Sequence, residues 1–274
     1  MTTTIGWVSD YNEYGGGETT EKEFIDRCPR NIKLIKMFGG KNIDTTCDFY
    51  IINNFRALAE IQLDYFIEKK KYIMAFRDVI DTRHDSLIRR MVKNACANIF
   101  LSPLHRKEFF KKFNIKECSH VRIIAPYFNC NKYDRSSEKV LDICWAGNIQ
   151  HHKGIEECLL WARDNYRVVM FYGKGDSQLI DQINYSKYAV YKGYHEDISP
   201  ILALYKYFIH LPDKIEAFGR TCMEAHLSGC KIIRNGKIGM FSWDTFDDIE
   251  DTIERIQKQP SLFWDTVKSY FVVN

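Results

Sequence analysis

The chain has 274 residues, of which 45% are hydrophobic and 27% are charged. This composition is typical of a folded globular protein and excludes a disordered chain. No run of about 18 apolar residues occurs, and the N-terminus lacks a basic segment followed by an apolar one, so we expect a soluble cytoplasmic protein with no transmembrane segment. The nine cysteines include no Cys-x-x-Cys pair, which favours reduced thiols over a disulfide or zinc framework.

The net charge of +3 is unevenly distributed along the chain. Residues 1–135 contain 23 Lys and Arg against 17 Asp and Glu, a balance of +6, whereas residues 136–274 contain 16 against 19, a balance of −3. Within residues 69–112 the count is 12 against 4. Such a basic region attracts anionic partners, although a solvated surface has the same composition.

Apolar runs alternate with helical stretches through the first half of the chain. The predicted strands are Thr4–Ser9, Ile32–Met37, Asp48–Ile52, Tyr72–Phe76, Ala97–Leu101 and Val121–Ala125. The predicted helices are Thr19–Cys28, Phe55–Lys69, Thr82–Asn94 and Pro103–Phe113. This alternation is typical of a parallel sheet with helices on both faces, and it predicts a Rossmann-like domain.

A second series of elements follows the polar segment Asn129–Glu138. The predicted strands are Lys139–Ala146, Arg167–Tyr172, Tyr188–Gly193, Phe208–Leu211 and Lys231–Arg234. The predicted helices are Ile198–Tyr205, Phe218–Ser228, Phe246–Gln257 and Pro260–Tyr270. The pattern predicts two α/β domains, residues 1–135 and 136–258, followed by a C-terminal helical segment of residues 259–274.

A phosphate-binding turn is predicted where the fourth strand of the second half meets a helix. The first amides of that helix, around Phe218, Gly219 and Arg220, have no intrahelical partners and carry the positive end of the helix dipole, so they can hold a phosphate. Glu216 and Glu224 would repel a phosphate, but their carboxylates accept hydrogen bonds from sugar hydroxyls. A phosphate site beside hydroxyl acceptors predicts a nucleotide sugar as the ligand.

This segment resembles the E-x7-E motif of retaining glycosyltransferases of the GT-B fold, in the group related to glycosyltransferase family 4. The positions that carry the resemblance are Glu216, Phe218, Gly219, Glu224, Ala225 and Gly229. The resemblance implies two Rossmann-like domains facing each other across a cleft, with the last helix returning to the first domain. It also implies a metal-independent hexosyltransferase without a cofactor, which uses a UDP- or GDP-type sugar donor and retains the anomeric configuration.

A second family motif, usually written G-R-L-x-x-x-K-G, is similar to the segment from Gly147 to Gly154. The family uses its arginine and lysine to bind the donor diphosphate. Lys153 has the lysine position, which implies that it neutralises charge on the leaving phosphate. Asn148 stands where the arginine is usual, and Arg220 is the candidate to replace that contact.

The resemblance assigns further donor contacts. Glu216 is expected to bind hydroxyls of the transferred sugar, and Glu224 is expected to hold the ribose. Gly16 and Gly17 follow the first strand, where many relatives place a turn facing the donor phosphates; a flexible loop is the alternative. The other implied donor-binding residues are Gly147, Asn148, Gly173, Tyr194, Ile198, Ala217, Phe218, Gly219 and Arg220.

Two further residues of the first domain are candidates for the catalytic centre. Relatives often end the fourth strand with His-Asp near the transferred sugar, and this chain has Arg77-Asp78 there. The replacement leaves the usual role of the histidine unassigned, and Arg77 is expected to contact a phosphate or the acceptor. The adjacent His151 and His152 point in different directions and have no evident third ligand, so no metal site is predicted.

The acceptor is predicted from the basic helix of the first half. Arg83 and Arg90 are seven residues apart, and Arg89 and Lys93 are four apart, so each pair shares a helical face. A cell-surface glycan or a membrane-associated, lipid-linked glycan is the favoured acceptor. The alternative is duplex DNA with hydroxymethylated bases, as in phage-type DNA glycosyltransferases. A nucleotide-sugar epimerase and a non-catalytic sugar-nucleotide binding protein are the remaining alternatives.

Overall fold

The computed structural model describes residues 2–9, 16–38, 43–53, 60–69, 71–78, 85–116, 118, 120–244, 246 and 248–271. The chain divides into two compact units, the first of Met1–Phe128 with Glu254–Asn274, and the second of Asn129–Ile253. None of the described helices is both long and apolar enough to span a bilayer.

The first unit is built on a six-stranded sheet in which every pair of neighbours is parallel. Its strands are β1 Thr3–Ser9, β2 Ile32–Phe38, β3 Phe49–Asn53, β4 Tyr72–Ala75, β5 Ala97–Phe100 and β6 Val121–Ile123. Its first four helices are α1 Gly16–Ile25, α2 Glu60–Lys69, α3 Asp85–Asn94 and α4 Pro103–Lys112. The strand order is β2-β1-β3-β4-β5-β6.

Hydrophobic clusters cover both faces of this sheet. Ile51 and Ile52 belong to different clusters, because successive side chains of a strand point to opposite faces. Helices α2, α3 and α4 pack on one face, and α1 packs on the other together with Phe263 and Trp264 near the C-terminus. The predicted parallel sheet with helices on both faces is therefore confirmed.

The second unit is built on a five-stranded parallel sheet of order β11-β10-β7-β8-β9. Its strands are β7 Leu141–Ile149, β8 Val169–Gly175, β9 Ala189–Tyr191, β10 Tyr205–His210 and β11 Lys231–Arg234. Its helices are α5 Ile155–Asp164, α6 Ser177–Tyr185, α7 Ser199–Leu202 and α8 Arg220–Leu227. The order reverses between β7 and β10, and open α/β sheets bind ligands beyond the carboxyl ends of strands at such a point.

Several element boundaries of the second unit differ from the prediction. Strand β7 continues through Gly147 and Asn148, past its predicted end at Ala146, because its ladder with β8 extends that far. Helix α8 begins at Arg220 and not at Phe218, since Gly219 has a left-handed backbone that a helix cannot include. Helix α7 is a single turn, and β10 begins at Tyr205.

The C-terminal part of the chain was predicted as two helices, but it forms one helix, α9 Ile249–Lys268, with Pro260 inside it. The proline lacks one N–H and crowds the preceding turn, which usually breaks a helix. Burial of Ile256 and Phe263 on either side of it offsets that cost. Helix α9 begins in the second unit and ends in the first.

Candidate functional site

Glu216 lies in the loop between β10 and α8, and a segment beyond β11 fixes the backbone of that loop. The N–H of Glu216 donates to the carbonyl of Lys237 at 2.8 Å, and the N–H of Gly239 donates to the carbonyl of Glu216 at 3.0 Å. The N–H of Met240 donates to the carbonyl of Phe218 at 2.8 Å. The loop therefore has a defined backbone conformation despite its lack of regular structure.

Gly219 immediately precedes α8 and has a φ of +93°. A Cβ atom at this position would lie 2.5 Å from Cγ2 of Ile238 and 3.6 Å from Oε2 of Glu216, so glycine is required by both conformation and space. The first helical bond of α8 runs from the N–H of Met223 to the carbonyl of Gly219, which itself has no side chain that could cap the helix. Oε2 of Glu216 thus lies beside the N-terminus of α8.

Lys153 reaches the same loop from the carboxyl end of β7. It ends a short 3₁₀ helix, His151–Lys153, and is followed by Gly154, whose φ is +71°. A Cβ atom on Gly154 would lie 1.8 Å from the carbonyl oxygen of Leu211, so the two loops pack at a distance that only glycine allows. Nζ of Lys153 lies 2.7 Å from Oε1 of Glu216, so the two motif residues are in direct contact.

His210 is a member of this cluster that the sequence analysis missed. It is the last residue of β10, and Nε2 lies 3.0 Å from the same Oε1 of Glu216 that Lys153 contacts. Its side chain is only 7% exposed, and Nδ1 has no hydrogen-bond partner among the described residues. The only sequence signal was a polar residue at the end of an otherwise apolar strand.

The environment of Glu216 favours its ionised form. Burial by itself raises the pKa of this carboxyl, but His210 and Lys153 outweigh burial through charge and hydrogen bonding, so the pKa lies well below its ordinary value. Glu216 is therefore a carboxylate at neutral pH and can only accept hydrogen bonds. Two donors occupy Oε1, and the second oxygen faces the start of α8.

Glu224 lies one turn into α8, in a separate cluster of charged groups. Burial raises the pKa of its carboxyl, Arg220 and Lys132 lower it, Asp197 raises it, and the net shift is upward. Lys132 also forms an ion pair with Asp197 at 3.0 Å. The two glutamates of the motif therefore have opposite pKa shifts and different neighbours.

The carboxyl ends of β7 and β8 bring the glycine-containing segments together. Gly147 pairs with Gly173, and Asn148 pairs with Lys174. Lys174 was not among the predicted donor-binding residues. Both Asn148 and Lys174 are exposed, and Nζ of Lys174 lies 4.4 Å from the centre of the Tyr194 ring. A cation therefore lies on the strand next to Asn148, the position where the motif resemblance implies an arginine.

Four other predicted donor residues are placed as follows. Ile198 precedes the single turn of α7, and Ala217 is buried next to Glu216 in the loop before α8. Gly16 and Gly17 form the first turn of α1 and not a loop, since that helix begins earlier than predicted. Both glycines belong to the first unit.

Arg77 and Asp78 follow β4 in the first unit. The Arg77 guanidinium is buried and donates to Oδ1 of Asn53 at 2.8 Å, whereas the Asp78 side chain is exposed. Nε2 of the buried His105 donates to the carbonyl of Asp78 at 3.0 Å, while its Nδ1 accepts from the N–H of Leu101 at 3.3 Å. Burial lowers the pKa of His105 to about 4, so this histidine is neutral at pH 7.

The predicted acceptor residues lie on α3, apart from Arg83, which is outside the described residues. Arg89, Arg90 and Lys93 are exposed, and Arg90 forms an ion pair with Asp64 at 2.9 Å. No cluster of three or more His, Cys, Asp and Glu side chains that could hold a metal ion occurs in the described part of the chain.

Comparison with known proteins identifies the fold. No family model matches the sequence, and no curated protein is significantly similar to it. HepE from Anabaena, solved with UDP and glucose, has a TM-score of 0.66 at 13% identity, over 97% of this chain and 94% of HepE. The chain has the GT-B fold.

Two other solved structures share this fold. A glycosyltransferase from Rickettsia africae has a TM-score of 0.64 at 14% identity, covering 99% of this chain and 92% of that protein. Sucrose-phosphate synthase from Thermosynechococcus elongatus has a TM-score of 0.66 at 12% identity, covering 98% and 93%. At these identities the similarity establishes the GT-B architecture alone.

Proposed function

We propose that the protein is a retaining glycosyltransferase that transfers a sugar from a UDP- or GDP-type donor to a hydroxyl acceptor. The observation that carries this proposal is the contact of Lys153 and His210 with Glu216 beside the N-terminus of α8, in a unit of a GT-B chain. Solved structures of HepE contain UDP or UDP-glucose, which supports a UDP-type donor.

The donor diphosphate binds at the start of α8, where the amides near Gly219 and the cation of Lys153 face it. Oε2 of Glu216 accepts a hydrogen bond from a sugar hydroxyl, because its Oε1 is already occupied. Glu224 holds the ribose, and Tyr194 contacts the base near Ile198. Arg220 and Lys174 supply further positive charge around the phosphates.

The reaction breaks the bond between the anomeric carbon and the donor phosphate oxygen and forms a bond from that carbon to the acceptor oxygen. Positive charge develops on the sugar while negative charge builds on the leaving phosphate. Lys153 stabilises that negative charge most directly, and the helix amides add to it. A phosphate oxygen takes the acceptor proton on the same face of the sugar, which accounts for retention, and no step of this scheme involves a metal ion.

The acceptor is a hydroxyl carried by an anionic molecule or surface, for which a cell-surface or lipid-linked glycan is the favoured class. Arg89 and Lys93 on the exposed side of α3 support an anionic acceptor. Hydroxymethylated duplex DNA is the second candidate, since the same cations would contact its phosphates. These two acceptors are distinguished by experiment.

The test is turnover of a panel of UDP- and GDP-sugars, each assayed alone, with hydroxymethylated duplex DNA, and with a lipid extract of cell envelopes. We expect one donor to be consumed faster when the lipid extract is present, with retained anomeric configuration in the product. Stimulation by modified DNA would instead assign the DNA acceptor. An altered sugar released from donor alone would support an epimerase.

A matched variant separates an enzyme from a binding protein. Glu216→Ala is expected to lose transfer while the nucleotide still binds, because the diphosphate contacts remain. A binding protein would show no turnover in either form, and that result with every donor would contradict the proposal.

A further inference from the structure

His210 has an environment that fixes its ring in one orientation. The side chain is 7% exposed, and its ring centre lies 6.3 Å from those of Trp145 on β7 and Phe208 on β10. The residue is also hydrogen-bonded within the sheet, where its register partner is Arg234 of β11. The position of Nε2 is therefore determined by the core of the second unit.

The proton on this imidazole is placed by its partner. Glu216 is ionised and can only accept, so Nε2 of His210, 3.0 Å from Oε1, must carry a proton in either charge state of the ring. Nδ1 is buried and has no partner among the described residues, so the carboxylate is the contact that orients the ring's polar side. His210 is thus a rigid hydrogen-bond donor to Glu216.

Lys153 contacts the same oxygen but has different properties. Its side chain is 30% exposed and has a flexible chain of four methylene groups, and its ammonium has three N–H donors. A phosphate bound at the start of α8 would compete with Glu216 for this cation. If Lys153 were the sole partner of Glu216, binding of the donor would loosen the carboxylate that has to hold the sugar.

We propose that His210 is a positioning residue that keeps Glu216 oriented toward the donor sugar while Lys153 engages the donor phosphates. This inference rests on the proposed function and adds a division of labour to it: the lysine serves the leaving group, and the histidine serves the sugar. Oε1 stays bonded to Nε2 of His210, and Oε2 remains available next to Gly219 for a sugar hydroxyl.

The test compares two substitutions of His210. His210→Leu removes the N–H that contacts Glu216, whereas the side-chain amide of His210→Gln is long enough to place an N–H near Oε1 of Glu216. Binding is measured with UDP and UDP-glucose, or with the nucleotide and nucleotide sugar that the donor panel selects, and thermal unfolding checks the fold of each variant. The Leu variant is expected to bind the nucleotide like the wild type but to have a Kd for the nucleotide sugar raised about 10- to 100-fold. The Gln variant is expected to recover most of the loss.

His210→Asn is the second variant, because its shorter amide keeps the polarity but cannot reach Oε1; it decides the case if the Leu variant does not fold. Equal loss of nucleotide and nucleotide-sugar binding would reduce His210 to a packing role and overturn the proposal, as would unchanged affinity for both. Failure of the wild type to bind any nucleotide sugar would contradict the proposed function itself, and this inference with it.

Discussion

The carboxyl ends of the two sheets hold polar groups in different ways. In the second unit, Glu216 is a carboxylate whose pKa is lowered by neighbouring donors, and its partner Lys153 is 30% exposed. In the first unit, Arg77 and His105 are both buried, and they bond to the amide oxygen of Asn53 and to a backbone carbonyl. Both regions follow the same topological rule, since each collects polar residues where parallel strands end.

The difference concerns how each region responds to a ligand. A partly exposed ammonium paired with a carboxylate can exchange that partner for a phosphate at lower cost than a buried one, because water and ligand both reach it. Buried groups in a hydrogen-bonded network cannot exchange partners without leaving an unpaired polar atom, which is costly. We therefore expect the second unit to bind the donor and its leaving phosphate. The hydrogen bonds of Arg77 and His105, which form the first-unit network, are expected to hold the loops of the first unit in place.

The largest expected effect is on turnover, from Lys153→Met, which keeps the length of the side chain and removes its charge. Loss of the cation facing the leaving phosphate should lower kcat about 100- to 1,000-fold, the range for removing one donor that stabilises developing negative charge. Steady-state kinetics with the donor selected by the panel measures this. Lys187→Met, at an exposed lysine of the same unit, should leave kcat unchanged. An equal loss of kcat in both variants would mean that the total positive charge of the unit matters, and not the contact of Lys153 with Glu216.

Gly154→Ala should have the next largest effect, on stability, because the backbone that presents Lys153 allows no Cβ atom there. The new methyl would meet the carbonyl oxygen of Leu211 at 1.8 Å on a backbone with φ of +71°. The free energy of unfolding should fall by about 3 kcal/mol, measured by urea denaturation. Gly193→Ala is the control, since its φ of +82° is also left-handed but no atom lies within 4 Å, so it should lose clearly less.

A smaller effect, on pH dependence, should test the first-unit network. The pKa of His105 is lowered from 6.5 to about 4, so the unfolded chain binds a proton between these values and the folded one does not. The stability that this group contributes is complete above pH 6.5 and falls as the pH drops toward 4, with about 2 kcal/mol lost by pH 5. Urea unfolding across this range should show a shallower fall for His105→Gln, which does not titrate.

An identical pH dependence in both proteins would show that His105 is protonated in the folded state. The contrast between the exchangeable pair of the second unit and the buried hydrogen bonds of the first unit would then be wrong for His105. The carboxyl of Glu216 loses its contribution only as the pH falls below 4.5, and both proteins contain it, so it does not produce a difference between them.

The smallest effect on stability is expected from Arg89→Ala, Arg90→Ala and Lys93→Ala combined, because exposed charges and surface ion pairs contribute little. Binding of the anionic acceptor should nevertheless weaken and lose much of its salt dependence. Arg163, Lys187 and Lys206 are exposed cations of the second unit, and their replacement by Ala is the matched control. Equal acceptor binding by the two triple variants would show that α3 does not contribute to the acceptor site.

The sequence predicted those parts of the site that depend on short segments. Lys153 and Glu216 each belong to a local motif, and the structure brings them within 2.7 Å. His210 could not be selected, because its contact with Glu216 depends on how the intervening loop turns back. That turn is fixed by Lys237 and Gly239, which pair with Glu216 from beyond β11, and non-local pairing leaves no trace in local sequence patterns.

The fold was predictable to a similar extent and for the same reason. Alternating strands and helices specified two parallel sheets, since apolar runs and helical periodicity are local signals. The boundaries failed where tertiary contacts override local preference: β7 runs on through Asn148 because β8 continues beside it, and α9 includes Pro260 because residues on both sides are buried. The contacts of Arg77 and His105 were likewise not predictable, since their partners come from other strands.

Helix α9 has a consequence for the order in which the chain folds during translation. Most of the first unit precedes the second unit in the chain, yet Gln259 accepts from the N–H of Ala125 at 2.8 Å, and Trp264 donates to the carbonyl of Phe24 at 3.0 Å. The face of its sheet on which α1 packs is therefore only partly covered until these residues, which follow the second unit, leave the ribosome. The second unit, which ends at Ile253, is complete sooner, so the nascent chain reverses the usual order in which N-terminal domains finish first.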